Sequence, residues 1–335
     1  VSRPLIVLTP GDPEGIGPEI TWKAIQEHYK KAQGSPQILC IGALSPFEKM
    51  GVPYLVFDPL IPWEESLKRV SQEKTPFLWI YPAPNQAPRN HFLPGYQAGW
   101  AIETATEFVL KKKAQALVTG PISKERLQKG GYPYPGHTEF LAQLCQVPEV
   151  TMMLANHLLR VTLVTTHCSL KNVSDQLSRE KIRKTVIQTA ESLKQFWKIR
   201  IPRIAVLALN PHAGESGLFG KEEIQIIRPE IESLKNTYRQ EFILEGPFPA
   251  DTFFAQHLDT TAENRFDAVV CMYHDQGLIP VKLLDFHKTV NVTLGLPIIR
   301  TSVDHGVGFD IAGKGVANPS SLNAAIDLAF DLVKK

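Results

Sequence analysis

The chain has 335 residues, of which 43% are hydrophobic and 21% charged, and a net charge of +2. That apolar content supplies one large or two medium cores and excludes a disordered chain, while the small, evenly spread charge excludes a nucleic-acid footprint. No run approaches the length of a membrane span, and Ser2-Arg3-Pro4 leads into a strand-like run without a signal-type apolar region, so the expectation is a soluble, cytoplasmic protein with no membrane partner.

In chain order, Leu5–Thr9 predicts a buried strand, 18–31 a helix with proline near its first turn, and Gln37–Gly42 a second strand. The proline-rich stretch 81–94 reads as an ordered surface excursion before a helix over 96–113, whose Lys111-Lys112-Lys113 run is a solvated end. Strands at Ala116–Thr119 and 160–166 precede a helix over 179–197. Further strands follow at 204–209, 268–272 and Val290–Leu294, and a serine pair opens a terminal helix over 321–333. This alternation predicts an α/β fold with largely parallel sheets, and the lack of a clean linker favours two lobes with interleaved segments. Cys40, Cys145, Cys168 and Cys271 lack paired metal-binding spacing and read as reduced thiols in or near the core.

Three of these strands run directly into a histidine: Thr165-Thr166-His167, Asn210-Pro211-His212 and Met272-Tyr273-His274. Ligands collect outside the carboxyl ends of strands in open α/β sheets, so three imidazoles delivered there can converge on a divalent metal and leave a position for a substrate oxygen. Each alone is equally a hydrogen-bonded loop histidine; the repetition, with Asn210, Glu215, Asp275 and Gln276 alongside, favours the metal. Imidazole ligands favour zinc or cobalt over calcium. His28, His91, His157, His257 and His287 read as helix-face or loop residues.

The usual G-x-G-x-x-G dinucleotide fingerprint is absent. Instead, Thr9-Pro10-Gly11-Asp12-Pro13-Glu14-Gly15-Ile16-Gly17-Pro18-Glu19 joins strand to helix through three glycines, either as a plain tight turn or as a close backbone approach to an anion. The stretch from His305 to Pro319, His-Gly-Val-Gly-Phe-Asp-Ile-Ala-Gly-Lys-Gly-Val-Ala-Asn-Pro, resembles the adenosine-binding loop of the isopropylmalate and isocitrate dehydrogenases. The first turn resembles their Pro-Gly-Asp-Gly-Ile-Gly-Pro-Glu motif with Pro13 and Glu14 inserted. The resemblance implies a two-lobed α/β/α fold of that superfamily, and NAD as cofactor. Gly11 and Asp12, then His305, Gly306, Asp310 and Asn318, are the cofactor-binding candidates; Asp310 would accept both ribose hydroxyls and repel the extra phosphate of NADP. As a plain reading, Asp310 is a turn-forming aspartate.

Thr119-Gly120-Pro121-Ile122-Ser123-Lys124, Gly136-His137-Thr138-Glu139, Asn210-Pro211-His212-Ala213-Gly214-Glu215, Gly246-Pro247-Phe248-Pro249-Ala250-Asp251-Thr252, Tyr273-His274-Asp275-Gln276-Gly277 and Leu294-Gly295-Leu296-Pro297 together resemble the 4-hydroxythreonine-4-phosphate dehydrogenase family. This resemblance, from first strand to last helix, implies metal ligation by His167, His212 and His274, with zinc expected and cobalt or magnesium as alternatives. It also implies a homodimer sharing its sites across the interface. It implies substrate contacts from His137, Thr138, Lys282, Asn291 and Arg300, whose charges and oriented hydrogen bonds suit a small phosphorylated acid. On spacing alone, Thr138 is equally a helix cap, Lys282 a strand-edge residue and Asn291 a satisfied polar group.

The implied lobes are 1–130 plus 300–335, carrying the glycine turn and the adenosine loop, and 131–299, carrying the metal ligands, most substrate contacts and the dimer interface. The implied reaction is NAD-dependent oxidation of 4-phosphooxy-L-threonine with decarboxylation to 3-amino-2-oxopropyl phosphate, on the route to pyridoxal 5′-phosphate. Threonate or erythronate 4-phosphate is the alternative substrate, and Lys282 or Asp251 the candidate base, Asp251 being equally a helix cap. A three-histidine hydrolase without nucleotide is disfavoured by the 305–318 loop, and a binding protein without turnover by the histidine triplet.

Overall fold

Burial follows the apolar runs: Leu5–Thr9 is buried along its whole length, as a parallel strand covered on both faces requires. The computed structural model describes residues 3–31, 35–73, 75–261 and 264–334. The chain divides into two units, the second being Glu149–Gly295 and the first the chain up to Pro148 together with Leu296–Lys334.

The first unit holds β1 (Leu5–Thr9), α1 (Gly17–Lys30), β2 (Gln37–Gly42), α2 (Ser45–Lys49), β3 (Tyr54–Val56), α3 (Trp63–Gln72), β4 (Leu78–Pro82), α4 (Leu93–Leu110), β5 (Ala116–Thr119), α5 (Lys124–Lys129) and α6 (His137–Leu144). The second follows with β6 (Thr151–Ala155), β7 (Arg160–Leu163), α7 (Val173–Gln176), α8 (Arg179–Gln195), β8 (Arg203–Leu207), α9 (Arg228–Tyr238), β9 (Ile243–Phe248), α10 (Ala250–Asp259), β10 (Ala268–Cys271), α11 (His274–Leu284) and β11 (Val290–Leu294). The chain then returns to the first unit as β12 (Ile299–Ser302) and α12 (Ser320–Lys334).

Strands of the first unit run in the order β3-β4-β2-β1-β5-β12, every pair parallel. Helix α4 packs on β1, β2 and β5, and α12 packs on β12, β5 and α1. Strands of the second unit run β11-β6-β7-β10-β8-β9. Here β7, β10, β8 and β9 are parallel neighbours, while β6 runs antiparallel to both β7 and β11. The β6–β7 hairpin closes on Asn156, whose Oδ1 accepts from Leu158 N and Leu159 N at 2.9 Å. Val161, Leu163, Ala205, Val269 and Cys271 of the strands pack with Leu278 and Val281 of α11 in one core cluster.

The α/β expectation with largely parallel strands is met. Four strands stand at their expected bounds. The expected strands over 160–166, 204–209 and 268–272 end sooner, because the chain leaves the ladder there to form the histidine loops. Sequence reading passed over five strands: β3, whose three side chains are largely exposed, β4, which runs into the proline-rich stretch, β6, β9, which contains Gly246-Pro247, and β12, whose four residues follow Pro297. The 81–94 stretch is ordered as expected: Ala83 N donates to Gly42 O, Phe92 N to Lys129 O, and Gln97 Nε2 to Pro84 O. All four cysteines are free, Cys40 and Cys271 fully buried. Among the described residues no helix is long and apolar enough to cross a membrane.

Helices α4 and α5 touch backbone to backbone, since a β-carbon on Gly95 would lie 1.7 Å from the Arg126 carbonyl oxygen. Gly95→Ala therefore has to push α5 outward. Its expected cost is about 1–3 kcal/mol, the usual range for overpacking, and a thermal melt lower by several degrees is the check.

Candidate functional site

In the second unit, parallel pairing of β7, β10 and β8 puts the carboxyl ends of three neighbouring strands on one edge. Past β7, Val164 N donates to Cys271 O, Thr165 N to Met272 O, and Thr165 Oγ1 to Met272 O at 2.7 Å. These bonds hold the 163–167 and 271–274 segments side by side. The rings of His167 and His274 consequently lie next to one another, with centroids 5.9 Å apart and planes tilted by 44°. Nδ1 of His274 lies 2.7 Å from Asp275 Oδ1, a contact that orients the ring. Gln276, buried one turn into α11, accepts from Met272 N at 2.6 Å and donates to Ala208 O at 2.7 Å, tying the end of β10 to the end of β8.

His212 is placed differently. Residues His212, Ala213, Gly214, Glu215 and Ser216 all have positive φ, from +40° to +77°, forming a left-handed turn. Each non-glycine residue in that region costs about 1–2 kcal/mol, so the turn persists only because its surroundings hold it. Buried Glu223 does so: Oε1 accepts from Leu209 N and Asn210 N at 2.8 Å, and Oε2 from Asn210 Nδ2 at 2.9 Å. Glu222 accepts a second bond from Asn210 Nδ2 and one from Ser174 Oγ, and its carboxyl sits below the usual range, the Ser174 bond being the main cause. The turn exposes the His212 side chain (69%) beside the Phe219 ring. The structure thus brings His167 and His274 together. Among the described residues it assembles no group of three His, Cys, Asp or Glu side chains able to hold a metal ion.

The remaining candidates of this unit lie on three elements. Lys282 is half-buried on α11, its Nζ 5.7 Å from the Phe286 ring; Asn291 is half-buried on β11 opposite Leu154; and Asp251 is exposed in the first turn of α10.

In the first unit, His137 and Thr138 open α6 behind Gly136. His137 Nε2 is buried and has no hydrogen-bond partner. Burial, helped by the nearby Arg300 guanidinium, holds this imidazole neutral, well below its ordinary pKa. Arg300, buried on β12, donates to Thr119 Oγ1 at 2.6 Å, and Thr119 Oγ1 lies 3.0 Å from Ser302 Oγ. Burial lowers the Arg300 pKa to about 9, which leaves it cationic at neutral pH. A buried cation next to an unpartnered neutral imidazole at a helix amino terminus is suited to an anionic oxygen ligand.

The glycine turn and the 305–318 loop also meet in this unit. Gly11 has φ +87°, and a β-carbon there would lie 2.0 Å from Pro121 O. Asp12 is buried, and Oδ1 accepts from Glu14 N and Arg126 Nη1. Burial raises its carboxyl pKa despite those bonds. Asp12 therefore organises the turn from beneath. Arg126, on α5, also pairs with Glu14 at 2.6 Å and lies 4.1 Å from the centroid of the Phe309 ring. Ile16 N donates to Val307 O at 2.9 Å. His305, Gly306 and Asp310 are exposed along the loop, while Asn318 Oδ1 accepts from Ser320 N and leads into α12.

Sequence reasoning missed Arg126, Thr119 and Glu223 as site residues. Thr119 stood at the head of a quoted block, a usable signal. Arg126 and Glu223 carried none, since their partners are remote in sequence.

A model of the family described as pyridoxal phosphate biosynthetic protein PdxA matches residues 85–329. A 4-hydroxythreonine-4-phosphate dehydrogenase of Desulfosudis oleivorans is 44% identical, over 98% of this chain and 96% of the relative. One of Caulobacter vibrioides is 43% identical, over 100% and 98%. A crystal structure of 4-hydroxythreonine-4-phosphate dehydrogenase from Klebsiella pneumoniae matches with TM-score 0.86 and 35% identity, over 100% of this chain and 99% of that one.

The Glu223 clamp generates a direct test. Glu223→Ala strands the buried N–H groups of Leu209 and Asn210, and should destabilise the second unit by about 2–5 kcal/mol. Denaturant unfolding measures the loss; an unchanged midpoint would mean that the turn is held by something else.

Proposed function

Because the chain belongs to the pyridoxal phosphate biosynthetic protein PdxA family, we propose that it is a cytoplasmic, metal-dependent, NAD-linked dehydrogenase acting on 4-phosphooxy-L-threonine. Its product, after loss of carbon dioxide, is 3-amino-2-oxopropyl phosphate, destined for pyridoxal 5′-phosphate. The observation that carries this reading is the adjacent pair His167 and His274 at neighbouring strand ends, with the His274 ring oriented by Asp275. Two imidazoles presented in this way fit a borderline divalent ion, zinc first and cobalt next, while magnesium, the remaining alternative, would draw on oxygen ligands instead. When bound, the ion would polarise the substrate hydroxyl and NAD would accept the two electrons of its oxidation.

His212 is the third ligand in this reading, and a second copy of the chain completes the site. Ile279, Leu283 and Phe286 on and beside α11 are exposed by 64%, 85% and 64%, and Leu218 and Phe219 next to His212 are also exposed. An apolar patch of this kind next to candidate ligands supports a homodimer.

In the first unit, Arg300 supplies positive charge to the substrate's phosphate or carboxylate, His137 donates or accepts through the unpartnered Nε2, and Thr138 adds a hydroxyl at the start of α6. In the second, Lys282 and Asn291 contact substrate, and Lys282 or Asp251 receives the hydroxyl proton. Gly11, His305, Gly306, Asp310 and Asn318 serve NAD, with Asp310 selecting it over NADP; Asp12 acts through the shape of the turn.

The deciding assay is NADH formation from 4-phosphooxy-L-threonine by chelator-treated protein given back zinc, cobalt or magnesium, with threonate 4-phosphate as competitor. Metal-restored turnover preferring the amino substrate is expected; no NADH with any metal would end this reading. Arg300→Met should raise the substrate KM by about tenfold to a hundredfold, the worth of a charge-assisted hydrogen bond. Leu283→Glu should give a monomer in light scattering, with little change in melting temperature and loss of turnover. A dimer that persists and works would remove α11 from the interface.

A further inference from the structure

Within the 305–318 loop, Ile311 N donates to Gly308 O at 3.1 Å and Lys314 N to Ile311 O at 3.2 Å, which leaves the backbone of residues 315 and 317 to partners outside it. Residues 313–316 are exposed, Gly313 and Gly315 have positive φ, and a β-carbon at either would meet nothing within 4 Å. What fixes this stretch comes from one face of α1. Glu19, buried in the first turn of α1, accepts from Ala317 N at 2.8 Å through Oε1 and from Gly315 N at 3.1 Å through Oε2. Lys23, one turn on, donates to the carbonyl oxygens of the same two residues at 2.8 Å each, and to Glu19 Oε1 at 2.8 Å. Donors and acceptors of residues 315 and 317 are thus both taken by a single ion pair. In sequence, Glu19 and Lys23 look like an ordinary i,i+4 surface pair. Here the pair is turned onto a remote backbone.

We propose that Glu19 and Lys23 are positioning residues for nucleotide binding, shaping the loop so that Asp310 and Asn318 are presented in one geometry without themselves touching the nucleotide. This rests on the proposal that the loop binds NAD. The geometry supports it in two ways. The clamp lies between Asp310 and Asn318 in sequence, so its release loosens the stretch that joins them. The loop also shares in keeping buried Glu19 ionised: burial acts to raise its carboxyl pKa, and the bonds from Lys23, Ala317 and Gly315 together outweigh it and hold it below its ordinary value. A loop present in its competent shape about a tenth of the time weakens apparent affinity about tenfold.

The test uses the metal-loaded protein with Glu19→Gln and Lys23→Met. Three quantities are measured: NAD affinity by calorimetry, the KM and kcat split, and hydrogen exchange of the 313–317 amides. Expected are faster exchange in that stretch, a rise of about tenfold in the Kd and KM for NAD, and kcat and substrate KM within about twofold of the parent. Lys23→Arg should restore NAD affinity. Faster exchange with unaltered NAD affinity would overturn the proposal, because the clamp would then be structural only. Loss of kcat in step with affinity would overturn it as well. Parent protein that binds no NAD would overturn the nucleotide reading itself, and this proposal with it, and would appear before any variant is made. Lys23 lies nearer the surface than Glu19, so Lys23→Met decides the matter if Glu19→Gln fails to fold.

Discussion

Parallel pairing is the constraint from which the candidate site follows. A parallel neighbour must be reached by a crossover, so every strand of such a set delivers its carboxyl end to the same edge. In the second unit β7, β10 and β8 lie side by side, and three segments far apart in sequence leave the sheet together. Nothing about a lone histidine after a strand implies chemistry. Strand order makes His167 and His274 neighbours, and the Thr165 bonds to Met272 O fix how closely their loops run.

An edge where many loops begin is also an edge where ladder bonds stop, and buried amides must find other partners. Side chains supply them. Gln276 joins two strand ends through both of its amide atoms, Glu223 takes the amides past β8, and Glu19 takes those of the 315–317 backbone. These residues take no direct part in the proposed chemistry, but they decide where the loops stand. The binding surfaces are therefore as rigid as the polar groups beneath them.

Much of the sheet could be read in the sequence. The runs Leu5–Thr9, Gln37–Gly42, Ala116–Thr119 and Val290–Leu294 are apolar, short and bounded by turn residues, so burial on both faces was written in composition. The histidine loops were legible for the same reason, each following such a run. The reversal of β6 was not legible, because an antiparallel hairpin closed by Asn156 looks like any other turn between apolar stretches. The adjacency of His137 and Arg300 was reachable only through a resemblance, since no local pattern links α6 to β12. The turn after Asn210 contradicts local preference: four of its five left-handed residues carry side chains, and only Gly214 hints at the hand.

That turn has a consequence for how the protein is made. Local sequence stabilises a right-handed bend far more readily, so the left-handed form can exist only once Glu223 and the helix behind it have docked on the ends of the strands. His212, at the head of that turn, therefore holds its position only while the residues that support the turn hold theirs. Packing of the core and the shape of the binding loops thus rest on different contacts in this unit, the one apolar and the other polar.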